Sequence, residues 1–202
     1  AGSGNAVRFD ITMSSAGELG DLAGTPFGDL VVSPGYVIAD QQVGTGFQKL
    51  PWVRNVSLRR QWPDTLEVTL EEHAELARWA EGGLVNTRGE LFQAASSSEL
   101  PVFRGPSGSE KEVTELFGQF QGALAPLKLR PVSMTMNERR AWQLKLDSGL
   151  VLELGRDQAA ARLQKFVRAF DATIARMPHP VAYVDLRYPN GFAVRFAGGP
   201  KS

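Results

Sequence analysis

The chain has 202 residues, 43% of them apolar and 22% charged, which is enough apolar content to bury a core in one large or two small domains. Its formal net charge is zero, which excludes the global basic field that recruits nucleic acid or an anionic membrane surface. With no cysteine it has no disulfide framework, thiol nucleophile or cysteine metal site, while a reducing and an oxidising compartment both remain open.

No run of about 18 apolar residues occurs, and the start lacks the basic-then-apolar pattern of a signal peptide. Residues 1–5 read as a leader or cloning scar outside the fold. Val7, Phe9 and Ile11 alternate with Arg8 and Asp10 and predict a first strand, followed by helix-start signals at Ser14 and Ser15. Beyond them Gly17, Gly20 and Gly24 interrupt the helical spacing of Leu19 and Leu22, each opposing helix by up to about 1 kcal/mol. Leu30–Val31–Val32 reads as a short strand, and Val37 to Leu50 shows partial helical spacing.

Residues 50–72, LPWVRNVSLRRQWPDTLEVTLEE, predict a β-hairpin. Val56 and Leu58 share one face of the first arm, and Leu66, Val68 and Leu70 one face of the second. Trp62–Pro63–Asp64–Thr65 supplies the turn, because proline presets φ and aspartate bonds its own backbone. Arg59 and Arg60 can pair with Glu67, Glu71 and Glu72, each contact contributing about 0.2–1 kcal/mol.

A strand over 76–79, turns at Glu81–Gly82–Gly83 and Thr87–Arg88–Gly89, and short strands at Leu84–Val85, Leu91–Phe92 and Val102–Phe103 follow. Ser109 is placed as an N-cap with Glu112 completing a capping box. The helix after it carries Val113, Leu116, Phe117, Phe120 and Leu124 on one stripe and ends near Pro126. From Val132 the period becomes two, predicting a three-stranded antiparallel meander through Val132–Met136, Trp142–Leu146 and Leu150–Leu154. Asp157 is placed as the N-cap of a second helix with the stripe Leu163, Phe166, Val167, Phe170 and Ile174. Arg162, Lys165 and Arg168 fall on its polar side. A last hairpin joins Ala182–Leu186 to Phe192–Phe196, with Asn190–Gly191 as a tight two-residue turn signal.

Catalytic raw material is thin. His73 and His179 are the only histidines, and neither has a metal-ligand partner at fixed spacing. Glu71, Glu72 and Glu75 offer carboxylates for a cell-wall hydrolase, although their spacing is much better explained as a solvated strand edge. No nucleophile elbow, phosphate loop or dinucleotide fingerprint occurs. No catalytic residue, metal or cofactor is assigned. A binding module asks for less: the final strand, Phe192 to Phe196, has nothing after it to cover its outer edge, so an extended partner can add a strand there. The alternatives are an ordinary edge blunted by Arg195, or a strand inside the sheet.

Leu50–Pro51–Trp52–Val53, Val56 to Asp64 and Ala77–Arg78–Trp79 closely resemble the periplasmic part of the FtsQ/DivIB cell-division family. So do Arg140 to Leu144, Leu154–Gly155–Arg156, Arg162–Leu163 with Phe166–Val167, and Tyr183 to Tyr188. The resemblance implies an α+β fold: a POTRA domain (β-α-α-β-β) over 6–74, with two helices between Ser14 and Lys49, then a mainly antiparallel β domain with two packed helices over 75–197, and a tail over 198–202. Family members have a short cytoplasmic tail and one membrane-spanning helix, so the chain is expected to be the periplasmic portion of a protein anchored in the inner membrane at the septum. The resemblance further implies a non-enzymatic scaffold that recruits FtsB and FtsL through the end of the β domain, and other divisome proteins through the POTRA domain. Carried over by motif, Tyr188, Asn190, Gly191, Phe192, Ala193, Val194, Arg195 and Phe196 form the partner surface. Arg162 and Arg187 match basic positions that meet acidic partner side chains. Pro189 and Phe192 depart from the small and polar residues common in relatives. A POTRA-type chaperone or transport module is the rival binding class.

Overall fold

The computed structural model of the chain describes residues 6–12, 50–61 and 65–198. The leader 1–5, the two helices expected between Ser14 and Lys49, the strand expected at Leu30–Val32, the turn residues Trp62–Pro63–Asp64 and the tail beyond Gly198 lie outside the described residues. The chain divides into two compact units, Ala1–Ala74 and Glu75–Ser202.

In the first unit β1 (Ala6–Thr12), β2 (Val53–Gln61) and β3 (Thr65–Glu72) form an antiparallel sheet in the order β1-β3-β2. The alternation of β3 fixes its register on both sides, placing Val68 opposite Phe9 and Leu58, and Leu70 opposite Val7 and Val56. Val68 and Leu70 are fully buried. Arg59 stands opposite Glu67, as charge pairing predicts. Glu71 meets Arg54 at 2.8 Å. The register shift between Val53 and Asn55 brings Arg54 alongside it.

The second unit contains β4 (Glu75–Trp79), β5 (Leu84–Asn86), β6 (Leu91–Phe92), β7 (Val102–Arg104), α1 (Glu110–Leu124), β8 (Pro131–Met136), β9 (Trp142–Leu146), β10 (Val151–Gly155), α2 (Ala159–Phe170), β11 (Val181–Asp185) and β12 (Ala193–Phe196). The strands make one nine-stranded sheet in the order β12-β11-β10-β9-β8-β7-β4-β5-β6. The predicted meander is β8–β9–β10, antiparallel throughout. Both helices are crossovers between neighbouring parallel strands: α1 joins β7 to β8, and α2 joins β10 to β11. Both crossovers advance the sheet in the same direction, so their right-handed sense puts both helices on one face.

That face is the core. Val113, Phe117, Phe120 and Leu124 of α1 and Ala159, Leu163 and Phe166 of α2 bury against Phe103, Met134, Met136, Trp142, Leu144, Leu146, Leu152, Leu154 and Val184 of the sheet. Phe103 and Phe117 pack ring against tilted ring with centroids 4.8 Å apart. The other sheet face carries the alternate residues, among them Ser133, Thr135, Gln143 and Lys145, which are polar. Pro126 falls in a 3-10 turn, Ala125–Leu127, at the end of α1.

Two caps differ from expectation. Ser109 stands at the N-cap of α1 without a side-chain cap. Its hydroxyl donates to the Pro106 carbonyl at 2.6 Å, and Glu112 joins Arg140 at 2.9 Å, so neither half of a capping box is left. The second helix is capped by Gln158, in the left-handed region at φ 55°, which moves its start one residue past Asp157. Asp157 instead lies exposed, 3.9 Å from Arg156.

Candidate functional site

Among the described residues, strand β12 ends the nine-stranded sheet and pairs on one side only, with β11. The ladder runs one residue further, where the Ala197 N–H donates to the Pro180 carbonyl at 2.8 Å. Successive amides of a strand point to opposite sides. Ala193 and Arg195 therefore share the inward direction of Ala197, and Val194 and Phe196 point their N–H groups outward. Side chains alternate across the sheet as well: Val194 and Phe196 are half-buried, Ala193 and Arg195 exposed.

The connection into β12 is not the tight turn that Asn190–Gly191 signals. Residues 186–192 separate the two strands, and neither Asn190 nor Gly191 adopts the positive φ that a two-residue turn requires. The Leu186 N–H donates to the Glu153 carbonyl at 2.9 Å, so the pairing with β10 runs one residue past Asp185, the last partner of β12. The Arg187 N–H donates to Asp185 Oδ1 at 3.0 Å and turns the backbone there. Tyr188, 57% exposed, stands out from this loop with Pro189, Asn190 and Gly191. Phe192 turns inward, its ring 6.4 Å from Phe166.

At the carboxyl end of β10 and β11 lie the two basic positions. Arg187 Nε and Nη2 grip Asp185 at 2.9 and 2.6 Å in a bidentate fork. These bonds hold the buried Asp185 carboxyl below its ordinary range against the opposing pull of burial, and raise the Arg187 guanidinium still higher. Arg162, reaching from α2, donates from Nη1 to the Leu154 carbonyl at 2.6 Å and forms no ion pair among the described residues. Gly155, at φ +70°, lies beneath both arginines. On the helix-free face the Arg195 guanidinium stacks over Tyr183, 4.7 Å from the ring centre. Phe196, on the opposite face with Val194, meets His179 edge-on at 5.8 Å. Burial pushes the Tyr183 hydroxyl up, with Glu153 and Asp185 adding to it.

Arg162, Arg187 and the strand 193–196 are thus gathered at one end of the sheet. Sequence reasoning passed over Asp185, Gly155 and Tyr183. Their signal was an aspartate two residues before an arginine at a strand end, and a glycine closing a strand.

Two of the three carboxylates considered for hydrolysis have other occupations. Glu71 pairs with Arg54. The Ser98 hydroxyl donates to Glu75 Oε1, and the neighbouring Ser96 and Ser98 hydroxyls hold Glu75 below its ordinary range, the reverse of what a general acid needs. A shallow groove of about 320 Å³ between α1 and α2 exposes Glu112, Glu115, Arg156 and Gln158, with Glu112 already committed to Arg140.

Residues 77–187 match the family model "Cell division protein FtsQ/DivIB, C-terminal", and residues 37–73 match "POTRA domain, FtsQ-type". Arg162 and Arg187 fall inside the first match, and Tyr188 to Phe196 follow it. Among curated proteins, the chain is 39% identical over 186 residues to the cell division protein FtsQ of Nitrosospira multiformis, covering 90% of the chain and 79% of that relative. It is 44% identical over 159 residues to FtsQ of Burkholderia pseudomallei (75% and 64% covered), and 37% identical over 152 residues to FtsQ of Neisseria meningitidis (75% and 65%). The chain thus spans less than two thirds of the length of these last two relatives.

Proposed function

This chain belongs to the FtsQ/DivIB family of cell-division proteins, and from that premise we propose that it is a divisome scaffold without catalytic chemistry of its own, which captures FtsB and FtsL by strand addition along the outer edge of β12. The observation that carries this reading is the position of β12 at the end of the sheet, with the Val194 and Phe196 amides turned away from β11. A partner strand aligned there takes up backbone groups that otherwise face solvent, which supplies affinity. Selectivity comes from the side chains around the edge. Arg162 and Arg187 meet acidic groups through charge-assisted hydrogen bonds, Phe196 offers an apolar anchor, and Tyr188, Asn190, Gly191, Phe192, Ala193 and Arg195 complete the contact surface.

In this reading the first unit is the POTRA domain and helps bring other divisome proteins to the septum. The setting is the periplasmic face of the inner membrane. Among the described residues no helix is long and apolar enough to cross a membrane.

The test is capture of a synthetic peptide covering the periplasmic strand region of FtsB by the purified chain. Arg187→Glu sets a second carboxylate beside Asp185 and reverses the charge offered to an acidic partner, and Phe196→Ala removes the anchor. Each weakens capture about tenfold or more, about 1.4 kcal/mol. Unchanged capture by both variants eliminates the surface.

A further inference from the structure

Two arginines serve a partner's carboxylate well only if they stand still before it arrives, because any rotamer freedom they keep must be surrendered on binding. Here the two come from distant parts of the chain, Arg162 from α2 and Arg187 from the loop after β11. What holds them is specific. Asp185 is 6% exposed and uses both carboxylate oxygens on Arg187: Oδ1 accepts from the backbone N–H and from Nε, and Oδ2 accepts from Nη2. The fork fixes the inner edge of the guanidinium plane. The Arg187 side chain is still 57% exposed, so the Nη1 edge remains available outside.

Gly155 does for position what Asp185 does for orientation. A β-carbon built there would lie 2.7 Å from Arg162 Nη1, 3.0 Å from Arg187 Cγ and 3.3 Å from Arg187 Cδ. Both arginine side chains therefore cross the same point of backbone, over the space a side chain would fill. That crossing also lets Arg162 reach the Leu154 carbonyl. The backbone at φ +70° independently favours glycine.

We infer that Asp185 and Gly155 are the positioning residues of the partner surface, Asp185 by clamping the Arg187 plane and Gly155 by leaving the gap in which Arg162 and Arg187 converge on one carboxylate of the partner. This rests on the strand-addition reading. It also makes a counterintuitive demand. Asp185 is an acid beside a site for acids, so electrostatics alone says that removing its charge strengthens capture of an acidic peptide. Positioning says the reverse, because Asp185→Asn replaces the acceptor facing Arg187 Nη2 with a donor or leaves one side of the fork empty.

The experiment uses the whole chain and two probes: the FtsB strand peptide, and the same peptide with every Glu and Asp changed to its amide. The readout is the ratio of the two dissociation constants. The wild-type chain prefers the acidic form about tenfold, and Asp185→Asn and Gly155→Ala each reduce that preference to about twofold or less while the amide peptide binds nearly as before. A merely structural defect weakens both peptides together and leaves the ratio intact. A ratio kept or increased in Asp185→Asn overturns the inference. Equal binding of both peptides to the wild type also overturns it and leaves strand addition standing. Failure of the wild type to bind either peptide brings down strand addition and this inference with it.

Discussion

The two end strands of the nine-stranded sheet differ in what they present. β6 is two residues long and follows a turn organised by Asn86, which is 1% exposed and whose Oδ1 accepts from the N–H groups of Arg88 and Glu90. Gly89 of that turn lies tight against the backbone of Lys111 at the start of α1. β12 is four residues long, enters through an irregular loop, and is backed by aromatic packing: Phe192 on Phe166, and Phe166 on Phe170 with centroids 5.5 Å apart. Brevity guards an edge, since two residues cannot hold a strand in register. The strand addition proposed for β12 needs length and a rigid floor, and β12 has both.

The largest effect is expected beneath β12. Phe166 is fully buried, and Phe166→Ala lowers stability by about 3–5 kcal/mol in urea denaturation. A loss below about 1 kcal/mol would show that the floor of β12 is not anchored there. Next is the edge itself. Val194→Pro removes an outward amide while sparing the ladder to β11, and should reduce peptide capture by at least about tenfold with the melting temperature little changed. Arg195→Pro deletes an inward donor and should unfold the edge as well; equal behaviour of the two variants would contradict the assigned alternation.

A smaller effect is expected from pH. Asp185 is held below its ordinary range chiefly by the Arg187 hydrogen bonds, with Arg187, Arg162, Glu153 and Tyr183 as the titratable groups around it. A depressed carboxyl stabilises the folded state fully above its unfolded value of about 3.9, and that contribution disappears as pH falls through the folded value. Below about pH 4 the wild type should therefore lose an increment of under about 1 kcal/mol that Asp185→Asn lacks, read as the difference between their pH–stability curves. The smallest effect belongs to the other edge. Leu91 is 43% exposed, and Leu91→Ala should alter stability by no more than about 0.5 kcal/mol and leave capture unchanged. Lost capture in that variant would move the partner to β6.

Features with a local period were legible before any coordinates. The pairing of β2 with β3 follows from two alternating runs, the β8–β9–β10 meander from a second such series, and the core faces of α1 and α2 from residues three and four apart. The caps were not, because Ser109 and Glu112 had competing bonds to Pro106 and Arg140, and Gln158 took the place of Asp157. Asn190–Gly191 misled for a related reason: its turn preference is local, while the backbone had already turned at Asp185–Arg187, where the Arg187 N–H bonds Asp185 Oδ1.

The sequence by itself determined most elements of the described residues, their buried faces and, through motifs between Leu50 and Tyr188, the family. Those properties are carried by neighbouring residues, whose periodicity and turn chemistry act over a few positions. Only the tertiary structure decided that α1 and α2 bridge parallel strands, that β12 stands at the end of the sheet, and that Arg162, Gly155, Asp185 and Arg187 meet at one point. Parallel pairing of β10 with β11 joins segments separated by an entire helix, and no local pattern encodes such a contact until the sheet has assembled.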